Sequence, residues 1–179
     1  MTGREDGTDQ RGGTAYPAGV AEVFAEVEAR VRAAVGVRLF TVLAWLPGRR
    51  VLHRAHTSHP EQYPVGGEKS VEVAAGWLER CVHGQRPYLG ADRAAVREIF
   101  SDHELIDALG CGAVINVPVV DDGRTLGVLN ILDAEGRYDD AAVTRAAQLA
   151  ALAVPALRAV VARRDRPAAE NPTQSGGPW

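Results

Sequence analysis

Two mostly apolar runs, Ala113–Val119 and Leu126–Leu132, stand on either side of Asp121-Asp122-Gly123, and no other feature limits the possible folds of the chain as strongly. Neighbouring side chains of a strand point to opposite faces, so a run with little polar alternation needs cover on both sides. The acidic turn with its glycine predicts a hairpin, 112–120 with 125–133. The rest of the chain must then supply a layer for each face, and with 46% apolar residues it has the material to do so.

If the hairpin loop is the triplet Asp121-Asp122-Gly123 with Gly123 left-handed, even-numbered residues of both strands share a face. That face carries Val114, Asn116, Pro118, Leu126, Val128, Asn130 and Leu132. Asn116 and Asn130 then sit diagonally, about 7–8 Å apart, as two amides on an apolar floor. Such a floor can orient a ligand by few polar groups, or each amide can simply bond neighbouring loop backbone. The opposite face, with Ala113, Ile115, Val117, Val119, Leu129 and Ile131, is wholly apolar and suits helices. A two-residue Asp122-Gly123 turn would instead place the amides on opposite faces.

Upstream, Val20, Val23, Phe24, Val27, Val31 and Val35 recur at helical spacing until Gly36. Residues 37–46 read as a central strand, with Phe40, Val42 and Ala44 on one face and Leu39, Leu43 and Trp45 on the other. Pro47-Gly48 turns the chain into a strand near 50–57 and a loop to Gly67. Ser70 can cap a second helix with the stripe Val71, Ala74, Leu78, Cys81 and Val82. Pro87-Tyr88-Leu89 is extended, Asp92 caps a short helix through Phe100, and Ser101 with Glu104 has the form of a capping box for another, closed by Gly110.

A long final helix starts at Asp139 or Asp140, with a seam of Val143, Ala147, Ala150, Val154, Leu157 and Val161 that Pro155 should kink or interrupt. The Ala-rich seam predicts a homodimer through this helix. Polar, Gly- and Pro-rich composition marks 1–17 and 165–179 as tails around a domain at 18–164. A length of 179 residues predicts one domain and no attached output module.

The formal net charge of -3, with no basic stripe, argues against nucleic acid as a partner. No signal-peptide pattern opens the chain, and no uninterrupted apolar run approaches the roughly 20 residues of a membrane helix, so a cytoplasmic location away from membranes is expected. Cys81 and Cys111 lie thirty residues apart and read as buried free thiols. No cofactor fingerprint is present. His53, His56 and His59 do not make a metal tract, because His56 should point away from the other two and the outer pair spans about 20 Å in a strand.

Lys69 is the one lysine against nineteen arginines. A position that keeps an ammonium in such a chain can need a point charge or a titratable amine, or it can be an exposed lysine left by chance. It follows Gly66-Gly67, whose backbone could approach an anion closely. Lys69 with Asn116, Asn130 and Gly67 predicts a small anion or oxoacid as ligand, and a desolvated Lys69 would open Schiff-base chemistry. Asp102 and His103 are a second candidate acid–base pair, although first-turn capping explains them equally well.

The string Ala113-Val-Ile-Asn-Val-Pro-Val119, then Asp122-Gly-Arg, then Leu126-Gly-Val-Leu-Asn-Ile-Leu132, resembles a GAF domain. The passage from Trp77 to Leu89, with Cys-Val-His-Gly-Gln-Arg-Pro before a strand, is also similar to that family. The resemblance covers about residues 20–162. It implies a PAS-related α+β fold: an antiparallel sheet with terminal helices on one face and a pocket under loops and short helices on the other. It implies a small-molecule sensor without cofactor that signals to a separate output protein, with Tyr63 and Trp77 either as aromatic residues over the pocket or as core packing. A small enzyme on the same fold, acting through Lys69 or Asp102 and His103, is the alternative, and a ligand-free dimerising adaptor is a third. The family's cyclic-nucleotide signature is missing because Lys69 has no Asn before it, and neither cysteine precedes the histidine typical of bilin attachment.

Overall fold

The computed structural model describes residues 16–70 and 75–165. Helix α1 (Val20–Ala34) buries Val20, Phe24, Val27 and Val31, the stripe its spacing predicts. It ends where the Val35 and Gly36 amides both bond the Val31 carbonyl and Gly36 turns left-handed at φ 82°. Strands β1 (Leu39–Leu46) and β2 (Val51–Thr57) form the first hairpin, and β3 (Glu68–Ser70) adds to its edge. Helix α2 is described from Ala75 to Leu78 and widens into a π-helical turn at Glu79–His83. Strand β4 (Tyr88–Gly90), helices α3 (Arg93–Ile99) and α4 (His103–Ala108), and the hairpin of β5 (Ala113–Asp121) with β6 (Arg124–Asp133) follow. The chain closes with α5 (Asp140–Leu149), a 3-10 turn at Ala150–Ala153 and α6 (Val154–Arg164).

The six strands form one antiparallel sheet in the order β3-β2-β1-β6-β5-β4, which puts β1 and β6 at its centre. Phe40, Val42, Ala44, Ile115, Val117, Leu129 and Ile131 pack one face against α1, α5 and α6. Leu39, Val114 and Leu132 on the other face meet Tyr63, Val96 and Ile106, while Leu43, Trp45 and Val128 meet Val82. The apolar runs thus have both layers they require.

Several local expectations change in the folded chain. The late hairpin turns on two residues, Asp122 and Gly123, both at positive φ, with Asp121 opposite Arg124. A bulge then shifts the register, because Val120 faces Thr125 while Val119 faces Gly127. The extra residue, Leu126, packs toward the helices instead of joining the even-numbered face. It also cancels the parity change of the two-residue turn, so Asn116 and Asn130 share a face and lie directly opposite, not diagonally. A second register shift leaves Ala55 unpaired in β2 and brings His53 and His56 to the same, helix-covered face, where His56 was expected to point away.

Ser70 closes β3 opposite Val51, and the helix start that it was expected to cap lies outside the described residues. Val71 and Ala74, like the parts of the expected tails at 1–15 and 166–179, lie outside the described residues. The Ser101–Glu104 capping box does not form: Asp102 takes the N-cap position of α4 without a side-chain cap. Asp92 and Asp139, in contrast, accept from the Ala95 and Ala142 amides and cap α3 and α5 as expected.

Pro155 lacks an N–H, and the helix tightens to 3-10 just before it, leaving the proline in the first turn of α6 where no donor is missed. The buried stripe leaves the predicted seam already in α5, ahead of the 3-10 turn. Ala142, Ala146, Ala150, Ala153, Ala156, Leu157 and Val160 are buried, whereas Val143, Val154 and Val161 are half-buried and Ala147 is exposed. Taken together, the 25 residues Asp140–Arg164 are long and apolar enough to cross a membrane by length and composition only, although no uninterrupted apolar run within them is that long. Here their buried stripe covers the sheet.

Candidate functional site

Opposite the long helices, the sheet carries a row of polar side chains in an otherwise apolar surface. The Trp77 indole Nε1 donates to Asn116 Oδ1 at 3.0 Å, Asn116 Nδ2 to Asn130 Oδ1 at 2.6 Å, and Asn130 Nδ2 to Thr41 Oγ1 at 3.1 Å. Asn116 and Asn130 are buried, so each bond replaces water that the amides give up on folding. Thr41 faces Asn130 across β1 and β6, which is why three strands contribute to one chain of bonds.

Beside this chain lies a cavity of about 20 Å³, room for a single water-sized body. Thr41 and Asn130 form the polar part of its floor, Tyr63 and Lys69 one wall, and Phe100 and Ile106 its cover. Lys69 reaches this face because it pairs with Leu52 in the ladder, one residue out of phase with Glu68, which faces the other layer. Its ammonium lies 3.4 Å from Asp102 Oδ1 and 5.3 Å from the centre of the Phe100 ring. The pair is half-exposed, with side-chain accessibilities of 37% and 28%, so it holds the mouth loosely.

The Tyr63 hydroxyl is buried and makes no hydrogen bond among the described residues. Burial pushes its pKa far up, and the nearby Asp102 carboxylate pushes the same way. Arg54 lies over the Tyr63 ring, its Cζ 4.8 Å from the ring centre. Gly66 and Gly67 are committed to this arginine: the Gly66 amide donates to the Arg54 carbonyl and the Arg54 amide to the Gly67 carbonyl, both at 2.8 Å. A side chain at Gly67 would come within 2.9 Å of the Arg54 Nη1. The close approach that two glycines permit is therefore made to a guanidinium of the chain itself.

Of the residues singled out in the sequence, Lys69, Tyr63 and Asn130 line the cavity. Asn116 and Trp77 stand behind it, joined through Asn130, and Gly67 lies against Arg54. Asp102 turns to Lys69, while His103 Nδ1 is buried without a partner; no hydrogen bond joins the two among the described residues. Sequence reasoning missed Thr41, the one polar side chain on its face of β1, and Arg54, a charge in phase with Leu52 in β2. Both were visible as breaks in an apolar pattern.

The histidines go separate ways: His53 bonds the Tyr16 hydroxyl, His56 bonds Glu28, and His59 bonds Ser58. Cys81 and Cys111 are buried free thiols, and burial raises their pKa values to about 12 and about 11. They are poor nucleophiles in this state.

The family model described as GAF domain matches residues 17–158. A search of curated proteins finds no match. Among solved structures, the GAF domain/HD domain protein of Geobacter sulfurreducens superposes with a TM-score of 0.62 at 16% identity, covering 81% of this chain and 93% of that one. The GAF domain of a two-component sensor histidine kinase from Bacillus halodurans gives 0.63 at 12% identity, with 79% and 95% covered. The PixJ GAF-domain of Thermosynechococcus elongatus, in its blue-light absorbing form, gives 0.58 at 19%, with 80% and 88% covered. At such identities the superpositions carry the fold alone, and with the family match over most of its length the chain belongs to the GAF domain family.

Proposed function

We propose that the chain is a sensory module that holds a small anionic metabolite or oxoacid between Lys69 and the Asn116–Asn130 amides, and reports it to a separate output protein. The observation that supports this is the meeting, at one cavity, of the chain's lone ammonium with a hydrogen-bonded amide row on an apolar floor. A few convergent polar groups in an apolar recess are how small ligands are oriented. The cavity must enlarge to admit more than a water, and the half-exposed Lys69–Asp102 pair is a contact that can part at low cost. A cytoplasmic location and a homodimer through the final helix complete the reading.

The size of the cavity favours a second reading, a dimerising adaptor that binds nothing. Native mass spectrometry of the freshly purified chain, followed by calorimetry with small anions, separates the two. The sensor reading expects a co-purified or titrating anion whose affinity falls at least tenfold in Lys69→Arg and in Asn116→Ala. Unchanged affinity in both variants places the ligand elsewhere, and no ligand at all leaves the adaptor. Borohydride trapping with oxoacids tests the enzyme alternative, since only a Schiff base would leave a covalent mass on Lys69.

A further inference from the structure

Arg54 is 8% exposed, yet no carboxylate pairs with it among the described residues. Its guanidinium makes one hydrogen bond there, from Nη1 to the Pro64 carbonyl at 3.2 Å, and its Nε is buried without an acceptor. A charge taken out of water in this way is costly unless something compensates it, and arginine cannot escape the cost by losing its proton. The Tyr63 hydroxyl, on the ring beneath this guanidinium, is a second buried donor with no well-placed acceptor among the described residues, and Tyr63 lines the cavity. Tyr63 thus stands in the wall of the cavity, with Arg54 stacked on its ring just behind the lining.

We infer that Arg54 and Tyr63 form the anchor for a ligand's carboxylate group, with the Nε edge of the guanidinium and the phenol hydroxyl donating to its oxygens. This rests on the pocket reading above and names what that pocket recognises. A planar carboxylate suits an arginine edge, which donates parallel bonds that an ammonium cannot reproduce. The charge balance selects a monoanion: Arg54 and Lys69 bring two positive charges, and Asp102 at the mouth already offsets one of them. A phosphate dianion would overfill what remains and would need more donors than these residues offer.

Asp102 is a carboxylate of the chain itself beside the same groups, 3.4 Å from the Lys69 ammonium and close enough to act on Tyr63 and Arg54. It occupies the mouth loosely, as its accessibility shows, and although its carboxylate acts on the Tyr63 hydroxyl it does not reach good hydrogen-bond geometry with either donor. A ligand that supplies a better-placed carboxylate gains two hydrogen bonds at donors that are desolvated in advance.

The test uses the full chain and calorimetry with matched probes: acetate, pyruvate and benzoate, their primary amides, and inorganic phosphate. At least one acid should bind tenfold or more tightly than its amide, with phosphate weaker than that acid. Arg54→Met should abolish the preference for acid over amide, and Arg54→Lys should lose at least half of it on a logarithmic scale. Tyr63→Phe, which removes only the hydroxyl, should weaken the acid three- to tenfold. Melting temperatures in the absence of ligand should be unchanged or higher in Arg54→Met and Tyr63→Phe, because each removes a buried polar group whose donors are left largely unpaired; a purely structural role predicts a fall. The inference is overturned if acids and amides bind alike, or if Arg54→Met and Tyr63→Phe both keep the preference. Equal binding that still responds to Lys69→Arg leaves the pocket in place without this anchor. No binding by any probe overturns both.

Discussion

Asn130 accepts from Asn116 and donates to Thr41 at the centre of the sheet, so its removal strands an amide hydrogen on one side and a hydroxyl oxygen on the other. Asn130→Ala should cost about 2–4 kcal/mol, since each buried group left without a partner carries a penalty of about 1–3 kcal/mol. Urea denaturation measures this, and a loss under 1 kcal/mol would mean that water replaces the amide. That Asn116 and Asn130 matter together could be read from the sequence, but their distance could not. One bulged residue, Leu126, decides it, and a bulge is set by how two strands settle against their neighbours, not by local propensity.

At the scale of elements, β2 and β3 connect the two layers. Glu68 on the helix side is held by Arg49 at 2.7 and 2.8 Å and lies 3.4 Å from His53 Nδ1, while its neighbour Lys69 enters the cavity side. His53 is 1% exposed and bonds Tyr16, just ahead of α1. Burial holds its pKa below the usual histidine value, the Arg164 guanidinium at the end of α6 adds to this, and Glu68 opposes it. With a lowered folded pKa, the unfolded chain binds the proton first. The contribution of His53 to stability is therefore full above about pH 6.5 and declines as the pH falls from there through its folded pKa. Stability measured by denaturant between pH 7.5 and 5 should show this decline, and His53→Gln should flatten it. An equal slope in the variant would assign the acid limb to other groups. The element order itself was legible because helical spacing and capping are local, as Asp92 and Asp139 show. That Ser70 also extends an edge strand was not legible, because this depends on Val51, nineteen positions earlier.

For the whole molecule, the final helices bury one stripe on the sheet and leave Leu152 41% exposed, beside half-buried Val154 and exposed Ala151 and Pro155. This apolar strip is where a second copy would pack in the homodimer proposed above. Sedimentation at tens of micromolar should give a dimer, and Leu152→Glu should shift it at least tenfold toward monomer by placing a charge in the interface. A monomeric parent chain would remove the dimer from the proposal.

The amino-acid sequence determined the layers: which stretches are helix or strand, that the late strands are covered on both faces, and that an amide pair interrupts one of them. These follow from periodicity and turn chemistry within a few residues. The tertiary structure alone decided which side chains share the site. Thr41 reaches Asn130 across 89 positions of chain, and Arg54 comes to lie over Tyr63 and against Gly67 only after two strand pairings place them there. Because side-chain direction alternates with every residue of a strand, the bulges at Ala55 and Leu126 decide which groups meet, and the register in which each hairpin's strands settle sets them.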